Sequence, residues 1–156
     1  MEERRIRTIL VPTDFSESAA RALSWARMLA RALGARIVVL HVLDFPLIWM
    51  PVGGLGSIPT PVPSAAADQL TAEARAILET IAQDAPEVTE RVLRTGHPRE
   101  IILTAARELG ADVIVMGTHG RRGVSDLFIG SVAEHVVRHS LVPVWTIRAG
   151  EPTPQG

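Results

Sequence analysis

Cysteine is absent from this 156-residue chain. That removes disulfides, thiolate metal sites and cysteine nucleophiles from consideration. Lysine is absent as well, because all 16 basic residues are arginine. A P-loop sets a lysine on its phosphates, so composition alone excludes that motif, and catalysis through a lysine imine goes with it. A net charge of −1 leaves no basic field to gather nucleic acid. No segment approaches the ~20 apolar residues of a membrane span. The opening MEERRIRT runs from charges straight into a strand with no signal-peptide core, so a cytoplasmic location is expected. What remains is enough chain for one domain with a real core and too little for two ordinary ones.

Five β-like runs alternate with four helical ones. Ile6–Val11 reads as the first strand, closed by Pro12-Thr13-Asp14. A helix over Ser16–Leu33 follows, with Ala22, Leu23, Ala26, Leu29, Ala30 and Leu33 repeating at three and four, and Gly34 as its C-cap. Arg36–Leu43 is almost continuously apolar, which suits a parallel strand covered on both faces. Ala65–Ala82 has helical spacing (Leu70, Ala74, Ile77, Leu78, Ile81), and Glu87–Thr95 alternates weakly, as an edge strand does. A third helix starts at Pro98 or Arg99, with Ile101, Ile102, Ala105, Ala106 and Leu109 inward and Gly110 as cap. Val113–Met116 is the fourth strand, the fourth helix ends near His139-Ser140, and Val142–Ile147 is the last strand.

Residues 44–64 differ from the rest. Five prolines and three glycines lie among them, so no regular element is expected there. The apolar Leu47, Ile48, Trp49 and Leu55 make the segment a flap, a partner surface or a passively packed insertion. The alternation implies an α/β fold: a doubly wound parallel five-stranded sheet between two helical layers, one domain over residues 1–148, with a frayed tail at 149–156. In such sheets ligands bind at the carboxyl ends of strands where the order reverses.

The stretch Ala111–Ser131 carries the chemistry. A short β-branched strand meets Gly117, a polar loop follows with Gly120 and Gly123, and Gly130-Ser131 opens a helix. Strand, glycine loop and helix N-terminus together aim unpaired N–H groups and a positive dipole end at one point, which suits a phosphate. Ser131 is placed to cap that helix and to offer a hydroxyl. Glycines in such a loop also serve turns alone, so the pattern by itself leaves both readings open.

The spacing Gly117-x2-Gly120-x9-Gly130-Ser131, the opening ILVPTDFSESAARAL and the closing GSVAEHVVRHSLVPVWTI resemble the ATP-binding branch of the universal stress protein (UspA-like) family over about residues 5–148. The resemblance implies a three-layer sheet of order 3-2-1-4-5, of the adenine nucleotide alpha hydrolase-like kind. It implies that Pro12, Thr13 and Asp14 lie against adenine and ribose and that Val42 pairs its backbone with the adenine edge. Met116 and Gly117 would line the ribose, and His119, Gly120, Gly130, Ser131 and Val132 would meet the phosphates of ATP. Mg²⁺ or Mn²⁺ would ride mainly on the phosphate oxygens. It also implies a homodimer through the strand Val142–Ile147.

Plainer roles stand beside these. Asp14 also suits a cap on the first helix, His119 and the arginines Arg121 and Arg122 a solvated loop, and His41 a strand residue satisfied by its neighbours. His135 and His139, one helical turn apart, lack a third metal ligand nearby in sequence. Trp145 is expected at the dimer seam or in the core. Ser125, Asp126 and the two loop arginines mark no base for hydrolysis. Related ATP pyrophosphatases carry a glycine-containing Ser-Gly-Gly-x-Asp-Ser loop where this chain has PTDFSES. A regulatory nucleotide binder is therefore expected, with a slow ATP hydrolase or nucleotidyl-transferring enzyme as the alternative.

Overall fold

The computed structural model describes residues 5–54, 56–83, 85–118 and 129–148. In chain order the elements are β1 (Thr8–Thr13), α1 (Glu17–Leu33), β2 (Arg36–Leu43), β3 (Ile48–Pro51), β4 (Ser57–Thr60), α2 (Ser64–Gln83), β5 (Val88–Thr95), α3 (Pro98–Glu108), β6 (Val113–Gly117), α4 (Ser131–His139) and β7 (Val144–Ile147). The main sheet has the order β5-β2-β1-β6-β7 and all its pairings are parallel. Its five strands thus follow the expected 3-2-1-4-5.

Side chains alternate across this sheet with the strand period of two. Ile9, Val11, Ile37, Val39, Val113 and Val115 face Ala22, Ala26 and Ala30 of α1 and Leu78 of α2. Leu10, Val38, Leu40, Ile114 and Met116 face Ile102, Ala105 and Ala106 of α3 and Ala133 and Val136 of α4. Leu10, Leu40 and Ile114 are wholly buried, each contributing roughly 1.5–3 kcal/mol by leaving water. The small residues of α1 let it approach the sheet closely.

Backbone chemistry sets the element ends. Asp112 Oδ2 accepts from the N–H groups of Arg7 and Thr8 at 2.8 and 3.0 Å, which fixes the start of β1 against the start of β6. β1 therefore begins two residues later than expected and continues through Pro12 to Thr13. Gly34 ends α1 in the left-handed region at φ 64°. Gly110, also left-handed, closes α3: its N–H donates to Arg107 O and that of Ala111 to Ala106 O, the two bonds of a Schellman motif. Ser140 and Val142 exchange bonds between hydroxyl and backbone, so β7 starts at Val144 rather than Val142.

The proline-rich segment departs from expectation. Instead of lacking regular structure, it forms the antiparallel hairpin β3–β4. The physical reason lies in register. Val52 N–H donates to Gly56 O, so Pro51 and Pro59 fall in the alternate, non-hydrogen-bonded pairs, where a missing N–H costs the ladder nothing. Gly53, Gly54 and Gly56 take the positive φ values of the reversal. Both strands are largely exposed, with Trp49 at 69%. Helix α2 also departs in part. Ala74 and Leu78 reach the core, but Leu70 is 44% exposed, in a first half of the helix that has no buried residue, and Ile77 is 41% exposed beside an opening between α2 and α1. Leu33, at the far end of α1, is exposed as well.

Candidate functional site

β1 and β6 are registered through Ile9–Val113 and Leu10–Ile114, whereas β1 stays with β2 as far as Thr13–His41. Beyond Leu10 and Ile114 the two central strands part, at the point where the order reverses. The space so opened is a cavity of about 160 Å³. Pro12, Thr13 and Asp14 enter it from the end of β1, Leu40 and Val42 from β2, and Met116, Gly117 and Thr118 from the end of β6. Pro98 and Ile102 of α3, Ala19 of α1, and Gly130, Val132 and Ala133 at the start of α4 complete the lining.

Eight of the eleven residues singled out in the sequence therefore meet here: Pro12, Thr13, Asp14, Val42, Met116, Gly117, Gly130 and Val132. Ser131 is exposed and is not among the lining residues. It is also not the cap of α4. Gly130 is the N-cap, and Ser131 is already the first helical residue, with no side-chain cap bond. His119 and Gly120, with Arg121, Arg122, Gly123, Ser125 and Asp126, lie outside the described residues.

Leu40, Pro98, Ile102, Ala19, Thr118 and Ala133 were not anticipated. Leu40 was accessible from the pleat, being two positions before Val42 on the same face. Pro98 and Ile102 lie one helical turn apart, but only the packing of α3 beside β2 brings that face to the cavity.

The turn after β1 is held rigidly. Thr13 Oγ1 accepts from Phe15 N–H at 3.0 Å, Asp14 Oδ1 from Ser16 N–H at 3.0 Å, and Ser16 Oγ from Ala19 N–H at 3.2 Å. Ser16 is thus the cap of α1, and Asp14 shapes the turn that precedes it. Phe15 adopts φ 64°, a left-handed conformation costly for a residue with a Cβ. Its ring stacks on His41 at 4.1 Å, and His41 Nδ1 donates to Thr13 O at 2.7 Å. His41 is therefore a satisfied strand residue that braces the turn.

Gly117 answers a packing demand. A Cβ there would stand 2.1 Å from Ser18 Oγ and 2.9 Å from the Ser18 carbonyl carbon. Only glycine lets the first turn of α1 sit against the end of β6. Thr118, buried, donates N–H and hydroxyl to Ile147 O at 2.9 and 3.3 Å, fastening the end of β6 to β7. Gly130 N–H donates to Thr118 O at 2.6 Å, which brings the start of α4 back to the strand end. The first-turn N–H groups of α4 have no intrahelical acceptor, so this pole of the cavity is positive.

The arrangement is a slot with apolar walls (Pro12, Leu40, Val42, Ile102, Met116), an acceptor side chain at one rim and free N–H groups at another. It suits a flat heterocycle with an anionic tail. Among the described residues no cluster of three metal-ligating side chains exists, and no helix is long and apolar enough to cross a membrane. His135 and His139 stack at 4.2 Å, with His135 Nε2 3.3 Å from Glu100.

Fold and cleft define a doubly wound α/β protein with a cavity at the reversal of strand order, and comparison with known proteins narrows that class. The model of the universal stress protein family matches residues 5–148. Universal stress protein MJ0577 of Methanocaldococcus jannaschii is 31% identical over 90% of this chain and 93% of its own. Its solved structure superposes with a TM-score of 0.74 at 27% identity, covering 94% of this chain and 99% of that one. A universal stress protein of Thermus aquaticus is 35% identical over 91% of this chain and 98% of its own. A universal stress protein solved in complex with cAMP shares the fold, with a TM-score of 0.65 at 24% identity over 94% and 99% of the two chains. The chain belongs to the universal stress protein family.

Proposed function

We propose that this protein is an ATP-binding universal stress protein acting as a nucleotide-responsive regulatory or stress-resistance factor, with little turnover of its own. The observation that carries the reading is the convergence of the Pro12–Asp14 turn, Met116-Gly117 and the Gly130 start of α4 on one cavity. In this reading adenine and ribose lie against Pro12, Thr13 and Asp14, with Val42 offering main-chain groups to the adenine edge. Asp14, an acceptor when ionised, suits a ribose hydroxyl or an adenine amino group. Met116 and Gly117 flank the ribose. His119, Gly120, Gly130, Ser131 and Val132 serve the phosphates, and Mg²⁺ or Mn²⁺ is carried by phosphate oxygens. The cAMP-bound relative supports an adenine ligand. Among the described residues β7 pairs with β6 on one side only, and in this reading its other edge meets a second copy in a cytoplasmic homodimer.

The test is direct. The purified protein is heated and the released small molecules are examined for adenine nucleotide. Dissociation constants for ATP, ADP and AMP and phosphate release with Mg²⁺ or Mn²⁺ are then measured. ATP binding without turnover is expected. Turnover of ~1 s⁻¹ or more would establish the hydrolase reading instead, and no adenine nucleotide binding would end both.

A further inference from the structure

Arg99 is the second residue of α3, beside the cavity-lining Pro98 and Ile102 but not itself part of the cavity wall. Its Nε is buried and has no hydrogen-bond partner. The other described arginines either pair with a carboxylate or stand exposed to water. Among the described residues Arg99 alone is half-buried and unpaired. A guanidinium N–H withdrawn from water without an acceptor is unfavourable, and a rearrangement that brings it to an anion would relieve it.

Its place on the helix says where that anion lies. At roughly 100° per residue, Arg99 is about 60° round the helix from Ile102. It lies on the flank leading to Glu100, whose carboxylate reaches His135 of α4. Arg99 thus stands between the cavity-facing side of α3 and the side facing α4. The start of α4, with Gly130 and Val132 in the cavity wall, is the pole where phosphates are expected.

We propose that Arg99 is the specificity-determining residue that reads the phosphate tail and sets the preference for ATP over adenosine. This rests on the nucleotide reading above. Arginine suits the task, since its fork engages two phosphate oxygens at once and keeps its charge at any working pH.

Isothermal titration of the wild type and Arg99→Gln with adenosine and with ATP, at fixed ionic strength, tests it. ATP should bind about 10–100-fold more weakly to the variant, while adenosine changes less than about threefold. Arg99→Lys, which keeps the charge but not the fork, should lose less than Arg99→Gln, again on ATP alone. It carries the test if the glutamine variant fails to fold. Unchanged ATP affinity, or parallel losses for ATP and adenosine, would overturn the assignment while leaving the nucleotide reading standing. A wild type that binds neither compound would take down both.

Discussion

Replacing Gly117 by alanine should destabilise the fold itself, whether or not a ligand is present. The added methyl would overlap Ser18 Oγ at 2.1 Å and meet the Ser18 carbonyl carbon at 2.9 Å. The hydroxyl can rotate away, but the carbonyl carbon belongs to the first turn of α1 and moves only with the helix. That helix packs against β6 and β1 through Ala22, Ala26 and Ala30, so it cannot retreat without opening voids. Overpacking of this kind costs roughly 1–3 kcal/mol. For a domain of this size the melting temperature should then fall by about 3–10 °C. Ser18→Ala in the same chain should restore part of that loss by removing the hydroxyl, and the remainder measures the overlap with the Ser18 carbonyl carbon and with its Cβ, 3.0 Å away, which alanine keeps. Calorimetry of the single and double variants decides the matter. A Gly117→Ala protein melting within a degree of the wild type would refute the packing argument.

Gly130 should behave in the opposite sense. At φ −60° and ψ 151° it occupies a conformation open to any residue. Gly130→Val should therefore fold with a loss of about 1 kcal/mol from a poorer N-cap, yet lose at least about tenfold in ATP affinity by calorimetry. Asp112→Ala strips the acceptor from the N–H groups of Arg7 and Thr8 and should cost about 2 kcal/mol in denaturant unfolding. Glu87 gives a pH signature: burial alone would raise its carboxyl, but bonds from Arg31 and Arg27 outweigh burial and hold it below the ordinary value. Its stabilisation is thus complete above the unfolded pKa of about 4.3 and is lost as pH falls through the depressed folded value. The melting-temperature gap between wild type and Glu87→Gln should be constant near neutrality and close below about pH 4; a gap unchanged in acid would contradict the ion-pair account.

Local pattern determined much of this protein. The near-continuous apolar runs around Ile9–Val11, Ile37–Leu40 and Val113–Met116 could only be parallel strands covered on both sides, and the Ala22, Ala26, Ala30 stripe could only face them. Alternation with helices then dictated a parallel sheet with right-handed crossovers, whereas the strand order 3-2-1-4-5 came from the family resemblance. Pro12 to Asp14 and Met116-Gly117 were legible because they end two strands of the sheet and match the family's motifs. Three things required the tertiary structure. The hairpin β3–β4 depends on which proline falls in which pair, a register matter that composition does not reveal. The exposure of Leu70 and Ile77 depends on how α2 sits against the sheet and α1, although their spacing matches that of core residues. The role of Gly117 emerges only when α1 is seen against β6, because a glycine needed for a neighbour's backbone and one needed for a ligand read alike in a sequence. Periodicity records what each element buries; distances between elements far apart in the chain exist only once they pack.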